Sequence, residues 1–363
     1  MTLIKSISGI RGTIGGAPGN GLTPIDTVKF SAAYGTWLQR KNNAKKLNVV
    51  VGRDARISGP IVNQLVIGTL RSLGINVIDL GLSTTPTVGI AVTMEKAHGG
   101  IILTASHNPK EWNALKLLNE KGEFISGYEG EDVLKIAERE DFDFASVDDL
   151  GKNTEISGYF QKHIDAVLAL PYVDVKAIQK ANFKIVVDAV NSTGGTVIPM
   201  LLDQLGVKQI EGIHCEPTGI FAHNPEPLPA HLTDLMEEII TTKADLGITV
   251  DPDVDRLAMV CEDGTVFGEE YTLVAVADYV LKNNGGATVS NLSSTRALRD
   301  VTEAHGYNYF ASAVGEVNVV AKMKAENAVI GGEGNGGVIL PELHYGRDAL
   351  VGIALFLSHL AKS

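Results

Sequence analysis

The chain has 363 residues, of which 44% are hydrophobic and 20% charged, a composition typical of a globular protein with two or three domains. Its 43 acidic and 31 basic side chains give a formal net charge of −12, which argues against a nucleic-acid or an anionic membrane partner. An anionic ligand must therefore be met by a local cluster of positive charge.

The two cysteines, Cys215 and Cys261, are far apart in the sequence. This usage argues against a disulfide framework or a Cys-rich zinc site and fits a reducing compartment. The first residues lack the apolar core of a signal peptide, and no stretch approaches the roughly 18 uninterrupted apolar residues of a membrane span. We therefore expect a cytoplasmic protein, and nothing in the sequence indicates its oligomeric state.

The predicted elements alternate between short apolar strands and longer helices. In the first part of the chain, strands are predicted at 48–52, 75–80 and 99–104, with a helix at 60–73. Because these strands are apolar throughout and are linked by helices, they predict a parallel sheet covered on both faces. The pattern restarts twice, with strands predicted at 184–188, 207–213, 245–250, 287–291, 308–312 and 327–331, and a last helix at 348–360.

We therefore predict three consecutive α/β domains of similar plan, with mixed, mostly parallel sheets, at residues 1–151, 152–254 and 255–363. The acidic stretch 139–152 is interpreted as the first linker. In each domain an apolar strand runs directly into a polar loop: ILTASHNP, GITVDPDVDR and VIGGEGNGG. Since ligands of open α/β sheets bind at the carboxyl ends of strands, we expect the three loops to face one shared active-site cleft.

The acidic loop carries Asp251, Asp253 and Asp255 at alternate positions. In an extended loop these carboxylates point the same way and repel one another unless a cation neutralises them. Ligation by oxygen alone favours a hard ion such as Mg²⁺. The alternative is a solvated acidic turn, which the apolar strands on both sides of the loop disfavour.

The other two loops carry different chemistry. Ser106 ends an apolar strand and precedes His107, an arrangement that suggests a nucleophile or a phosphate carrier, although a plain strand-to-turn exit fits equally well. The glycine-rich loop lets backbone approach a ligand closely, and its Glu333 and Asn335 offer hydrogen bonds suited to sugar hydroxyls. A flexible turn is the alternative for this loop.

Basic side chains occur at strand ends and glycine turns, where they could hold phosphate groups together. They are Arg11, Arg53, Arg56, Lys116 and Arg256. Taken singly, each is more often a surface ion pair. The remaining histidines show no metal-ligand spacing and are interpreted as ordinary surface or core residues: His98, His163, His214, His223, His231, His305, His344 and His359.

Four motifs, SGIRG, TASHNP, DPDVDR and GEGNGG, occur in this order between residue 4 and about residue 352. Together they resemble the α-D-phosphohexomutases, and the segments VGEVNV and GEGNGGVI are most similar to the phosphoglucosamine mutase branch. The resemblance implies that Ser106 carries a phosphoryl group, and that Asp251, Asp253 and Asp255 bind one Mg²⁺ with a phosphoserine oxygen of Ser106. It also implies a hexose 1,6-bisphosphate as intermediate and activator.

The resemblance assigns further roles around the transferring phosphate. His107 and Lys116 would act as the acid/base pair, and Arg11 and Arg256 would contact phosphoryl oxygens. Arg53 would support the loop that carries Ser106.

The third loop would hold the sugar, with Glu333 and Asn335 binding its hydroxyls. Two positions depart from the family pattern: Pro252 follows the first metal aspartate, and Gly337 stands where several relatives have histidine. We expect the metal site to form despite Pro252, because all three carboxylates remain. Since Gly337 removes one candidate proton carrier, we expect Lys116 and His107 to carry out the proton transfer.

The expected activity is phosphoryl transfer between the 6- and 1-positions of a hexose phosphate. The favoured reaction is the conversion of glucosamine 6-phosphate to glucosamine 1-phosphate. Phosphomannomutase or phosphoglucomutase activity is the alternative, and a metal-dependent phosphatase shares the same groups. The family's fourth, phosphate-binding domain has no counterpart in these residues. The sequence therefore also admits a sugar-phosphate-binding fragment with weak mutase activity.

Overall fold

The computed structural model describes residues 1–6, 9–42, 44 and 46–363. In this part of the chain the strands form three mixed sheets flanked by helices, which confirms the predicted α/β class with three similar domains. The chain divides into two compact units. The first is Met1–Tyr159 with Thr218–Ile220, and the second is Phe160–Pro217 with Phe221–Ser363.

The first unit contains a seven-stranded sheet. Its strands are Leu3–Ser6 (β1), Gly9–Thr13 (β2), Asn48–Arg53 (β3), Asn76–Leu82 (β4), Gly99–Leu103 (β5), Trp112–Leu118 (β6) and Asn153–Glu155 (β7). Its helices are Pro24–Lys41 (α1), Gly59–Ser72 (α2), Thr85–Met94 (α3) and Gly127–Arg139 (α4). The strand order is β1-β2-β6-β5-β3-β4-β7, with β5, β3, β4 and β7 parallel and β1, β2 and β6 antiparallel to their neighbours.

The second unit holds the other two sheets. Its strands are Lys184–Asp188 (β8), Gln209–Ile213 (β9), Leu246–Val250 (β10), Leu257–Cys261 (β11), Thr288–Asn291 (β12), Tyr309–Ser312 (β13), Ile330–Glu333 (β14) and Gly337–Ile339 (β15). Its helices are Tyr159–Leu168 (α5), Val175–Ala181 (α6), Gly194–Gln204 (α7), Thr233–Thr242 (α8), Glu269–Asn283 (α9), Ala297–Ala304 (α10), Glu316–Glu326 (α11) and Ala349–Leu360 (α12). The sheet orders are β11-β10-β8-β9 and β13-β12-β14-β15.

All three polar loops occupy the same topological position. Each joins a strand of the parallel part of its sheet to an antiparallel neighbour, as β5 to β6, β10 to β11 and β14 to β15. Each loop therefore lies at the carboxyl end of a buried strand, and its conformation is fixed by the pairing on both sides.

This pairing places two strands beyond the predicted domain boundaries. Strand β7 pairs with β4 of the first sheet although it follows residue 151, and β11 pairs with β10 of the second sheet although it follows residue 254. The reason at the second boundary is that the acidic loop lies inside a hairpin and does not link two domains.

The second and third sheets share one buried core. Ile185 and Leu201 from the second sheet's layer belong to the same apolar cluster as Ile330 and Leu355 from the third. Helix α12 supplies much of this core, because it is buried along nearly its whole length. None of the helices in the described residues is sufficiently long and apolar to cross a membrane.

Candidate active site

The loop that carries Ser106 is a tight, buried corner in the first unit. Ser106 has a positive φ of 49°, a conformation that is uncommon for residues other than glycine. Its amide donates to Thr104 Oγ1 at 2.9 Å, and Thr104 Oγ1 donates to Asp54 Oδ2 at 2.7 Å. The Ser106 hydroxyl lies 3.3 Å from Nδ1 of His107. The geometry thus holds a serine hydroxyl next to a histidine at the end of β5.

Arg56 holds this loop in place. Its fully buried guanidinium pairs with Asp54 at 3.0 Å and donates to four backbone carbonyls of the segment that follows β5. These are the carbonyls of Ser106, Asn108, Pro109 and Trp112. A planar guanidinium with five donors suits such a cluster of acceptors better than an ammonium group.

The family resemblance assigned this supporting role to Arg53, which stays a prediction. The Nη1 atom of Arg53 donates to the Asp54 carbonyl at 3.1 Å, whereas Arg56 reaches the loop itself. The sequence signal for Arg56 is the carboxylate two positions earlier, because a buried arginine needs a buried partner.

Two of the other predicted basic residues border the same loop. Arg11 lies on β2 and donates to Asn108 Oδ1 at 2.9 Å, so the motif around it is tied to the serine loop. Lys116 lies on β6, paired in register with Ile102 of β5, and is 8% exposed. Ser8, the first residue of the SGIRG motif, lies outside the described residues.

The acidic loop lies in the second unit and is completely buried. Asp251, Asp253 and Asp255 are each 0% exposed, and one carboxylate oxygen from each lies within 4.8 Å of those of the others. Asp251 Oδ1 accepts from the amides of Asp255 and Arg256, both at 3.1 Å. Pro252 fits this loop, because its carbonyl accepts from the hydroxyls of Ser192 and Thr193.

The charges around this loop favour the binding of a cation. Arg347 pairs with Asp255 at 2.7 Å, but it also pairs with Glu333 at 2.8 Å and with Glu316 at 2.9 Å. Burial acts to lower the pKa of Arg347, and the surrounding carboxylates outweigh it and hold that pKa well above its usual range. One guanidinium thus faces two glutamates as well as the aspartate triad, so a divalent ion bound by oxygen fits the remaining charge.

The glycine-rich loop is tied to the acidic loop by Arg347. Glu333 accepts from Asn291 Nδ2 at 2.8 Å and from the Gly315 amide at 3.2 Å, in addition to Arg347. Asn335 Oδ1 is buried and has no hydrogen-bond partner among the described residues. An oxygen left in this state is costly unless a donor reaches it, and a sugar hydroxyl is such a donor.

Gly337 has a packing reason to be glycine. A Cβ atom built at this position would lie 2.3 Å from Cδ of Arg347. Any side chain at 337 therefore requires Arg347 to move.

Arg256 follows the triad and lies near the same loop. Its Nη1 is 3.8 Å from Glu226 Oε1, and its buried Nε has no hydrogen-bond partner in the described part of the chain. This guanidinium retains hydrogen-bonding capacity for an anionic ligand.

Three family models match the chain in sequence. They describe the alpha/beta/alpha domains I, II and III of phosphoglucomutase/phosphomannomutase and match residues 3–144, 161–264 and 268–363. The chain belongs to the phosphoglucomutase/phosphomannomutase family. This confirms the resemblance to the phosphohexomutases, and with it the assignment to isomerases that transfer a phosphoryl group.

Individual proteins of similar sequence or structure carry names that agree with this family. A Thermococcus kodakarensis phosphoglucomutase/phosphomannomutase is 36% identical over 356 residues, which cover 97% of this chain and 77% of that protein. A Sulfurisphaera tokodaii phosphoglucosamine/phosphogalactosamine mutase is 31% identical over 373 residues, covering 99% of this chain and 78% of that protein. The crystal structure of a Burkholderia thailandensis phosphoglucomutase/phosphomannomutase family protein superposes with a TM-score of 0.85 at 26% identity, covering 99% of this chain and 77% of that one.

Arg347 is the functional candidate that the sequence did not reveal. It lies 92 residues from Asp255 and 14 from Glu333 along the chain, so no local motif links the three. The sequence signal is an arginine next to the aspartate that caps the apolar last helix.

Proposed function

We propose that the chain is a phosphohexomutase that moves a phosphoryl group between the 6- and 1-positions of a hexose phosphate through phosphoserine at Ser106 and a hexose 1,6-bisphosphate. The observation that carries the proposal is the buried corner at Ser106. Its hydroxyl lies 3.3 Å from a histidine nitrogen, on a loop held by a fully buried arginine. Phosphoryl transfer depends mainly on positioning and charge neutralisation, which such a corner provides.

The chain's own residues supply the proton and charge chemistry. His107, which contacts the Ser106 hydroxyl, and Lys116 on the neighbouring strand are proposed as the acid/base pair. Arg11, already anchored on Asn108, and Arg256, with its unpaired Nε, are proposed to bind phosphoryl oxygens.

The aspartate triad is proposed to hold one Mg²⁺, with a phosphoserine oxygen of Ser106 as a further ligand. When bound, the ion neutralises charge on the phosphoryl oxygens. The backbone amides of Asp255 and Arg256 donate to Asp251 and hold its carboxylate in place, and Arg347 orients Asp255.

The substrate we propose is glucosamine 6-phosphate, isomerised to glucosamine 1-phosphate. Glu333 and Asn335 are proposed to bind the sugar hydroxyls, and the unpartnered oxygen of Asn335 supports this role. The Sulfurisphaera relative is named for amino sugars, while the Thermococcus relative is named for glucose and mannose phosphates, so these are the alternative substrates.

The free Cys215 and Cys261 support a cytoplasmic location.

The direct test is phosphorylation of Ser106. The purified chain is incubated with glucose 1,6-bisphosphate and Mg²⁺, and its intact mass and phosphopeptides are measured. We expect one phosphoryl group on Ser106, none on the Ser106→Ala variant, and normal labelling of Ser72→Ala, a control at a half-buried helix position. Equal labelling of wild type and Ser106→Ala would refute the assignment.

A further inference from the structure

A second group of metal-type ligands lies at the carboxyl end of β8, outside the proposed catalytic residues. Asp188 is fully buried, and its Oδ2 lies 3.0 Å from Nε2 of His223 and 3.5 Å from Nδ1 of His214. One ligand atom from each of the three residues lies within 4.8 Å of those of the other two. The cluster shares no residue with the aspartate triad.

The other nitrogen of each ring faces an acceptor. Nδ1 of His223 lies 2.8 Å from the Asn224 carbonyl, and Nε2 of His214 lies 3.5 Å from Oδ2 of Asp234. A ring nitrogen that donates outward leaves the opposite nitrogen free to bind a metal, which is the usual arrangement around ligand histidines. When each ring donates outward in this way, its other nitrogen has a lone pair available for an ion bound beside Asp188.

The distances also suit a shared ion. Ligand bonds of about 2.1 Å in a tetrahedral site separate the ligand atoms by about 3.4 Å. The observed separations of 3.0 and 3.5 Å bracket this value. Two imidazoles with one carboxylate select a divalent transition metal over Mg²⁺, which prefers oxygen alone.

We propose that Asp188, His214 and His223 form a binding site for a divalent transition-metal ion of the Zn²⁺ type, separate from the Mg²⁺ site of the acidic loop. Three protein ligands leave one position for water or a small anion. Asp234 and the Asn224 carbonyl are positioning groups that orient the two rings.

A comparable cluster in the same unit, His163, His344 and Asp348, fits a metal less well. Asp348 uses Oδ1 to cap α12, and both His163 and Asp348 are 0% exposed. In the proposed site the side chains of His214 and His223 are 22% and 14% exposed, which gives an ion a route to the carboxylate.

The test measures the metal alone. The chelator-treated chain is equilibrated with Zn²⁺ in a large excess of Mg²⁺, which fills the acidic loop, and bound zinc is quantified by mass spectrometry. Co²⁺ replaces Zn²⁺ in parallel, because its visible absorption reports nitrogen ligands. We expect one zinc per chain and a cobalt spectrum stronger than that of the aqueous ion.

Two conservative variants remove ligands while keeping the local structure. His223→Gln retains an amide that can donate to Asp188, and His214→Asn tolerates the positive φ of 50° at that position. Both are expected to lose the bound zinc and the cobalt absorption. Asp234→Asn is expected to lower zinc affinity about 10-fold.

The matched control is His305→Gln, since His305 pairs with Asp278 at 2.7 Å as a simple histidine–carboxylate contact. It should bind zinc as the wild type does. Zinc retention by both His223→Gln and His214→Asn would overturn the proposal, as would loss of zinc from His344→Ala but not from His223→Gln. Absence of bound zinc in the wild type would overturn it equally.

Discussion

The side chain on which the serine loop most depends is that of Arg56. It is the fully buried guanidinium that pairs with Asp54 and donates to four loop carbonyls, including that of Ser106. Burying Arg56 without Asp54, or Asp54 without Arg56, would be unfavourable, because an unpaired buried charge costs several kcal/mol. The local sequence predicts that a basic residue supports the serine loop. The long-range contacts show that, of Arg53 and Arg56, it is Arg56 that donates to the loop carbonyls.

Replacing Arg56 by lysine should therefore slow phosphorylation of Ser106. Lysine keeps the charge and loses the planar set of donors, so the loop shifts and the rate falls about 100-fold. The measurement is the rate of phosphoserine formation by intact mass, with Arg53→Lys as matched control. Equal slowing in the two variants would contradict the role of Arg56.

A second prediction concerns Gly337. Gly337→Ala places a methyl group against the Arg347 side chain and should lower the free energy of unfolding by about 1–3 kcal/mol. The control is Gly68→Ala, at an exposed position of α2 where a Cβ meets nothing within 4 Å, and this change should raise stability by about 0.5–1 kcal/mol. Urea unfolding measures both, and a neutral or stabilising Gly337→Ala would show that Arg347 moves freely.

At the level of elements, the strands and helices follow the apolar pattern closely. Predicted strands at 48–52, 184–188 and 245–250 correspond to β3, β8 and β10 within a residue. The hairpin partners β6 and β15 were not predicted, because pairing is a long-range property that a local pattern does not encode. Because the pairing of β11 with β10 is also long-range, the predicted domain boundary leaves β11 on the wrong side.

The last helix shows how one charge supports an element. Asp348 Oδ1 accepts from the Leu350 and Val351 amides, while Oδ2 contacts His163 at 2.8 Å and His344 at 3.1 Å. Burial acts to raise the pKa of Asp348, but the histidines outweigh it and hold the pKa well below its usual range. Since the folded-state pKa lies below the unfolded one, the ionised carboxylate stabilises the fold above a pH of about 4 and this contribution is lost as the pH falls further.

Asp348→Asn keeps the capping oxygen and removes the charge. At pH 7 the variant should be less stable than the wild type by about 2 kcal/mol. The difference should shrink as the pH falls below about 4, where the wild-type carboxyl takes up a proton. Urea unfolding across this range checks it, and a difference that is absent at pH 7, or constant down to pH 2, would contradict the pairing.

At the scale of the whole molecule, three loops of different chemistry recur at one topological position. Each follows a buried strand and precedes an antiparallel one, which is why the sequence could place Ser106, the aspartate triad and Glu333 at strand ends. What it could not supply were the buried arginines that fix these loops. Arg56 lies 50 residues from Ser106, and Arg347 lies 92 from Asp255, so only the folded chain brings them together.

The central claim is that Ser106 carries the phosphoryl group and passes it to a sugar with help from the aspartate triad. The measurement is a single-turnover reaction of the Ser106-phosphorylated chain with glucosamine 1-phosphate and Mg²⁺, in which the products are separated. The control pair is Asp253→Asn in the buried triad and Asp263→Asn at an exposed turn of the neighbouring strand. We predict glucosamine 1,6-bisphosphate from the wild type and from Asp263→Asn, and none from Asp253→Asn. Release of inorganic phosphate in place of the bisphosphate, or equal transfer by Asp253→Asn, would contradict the account.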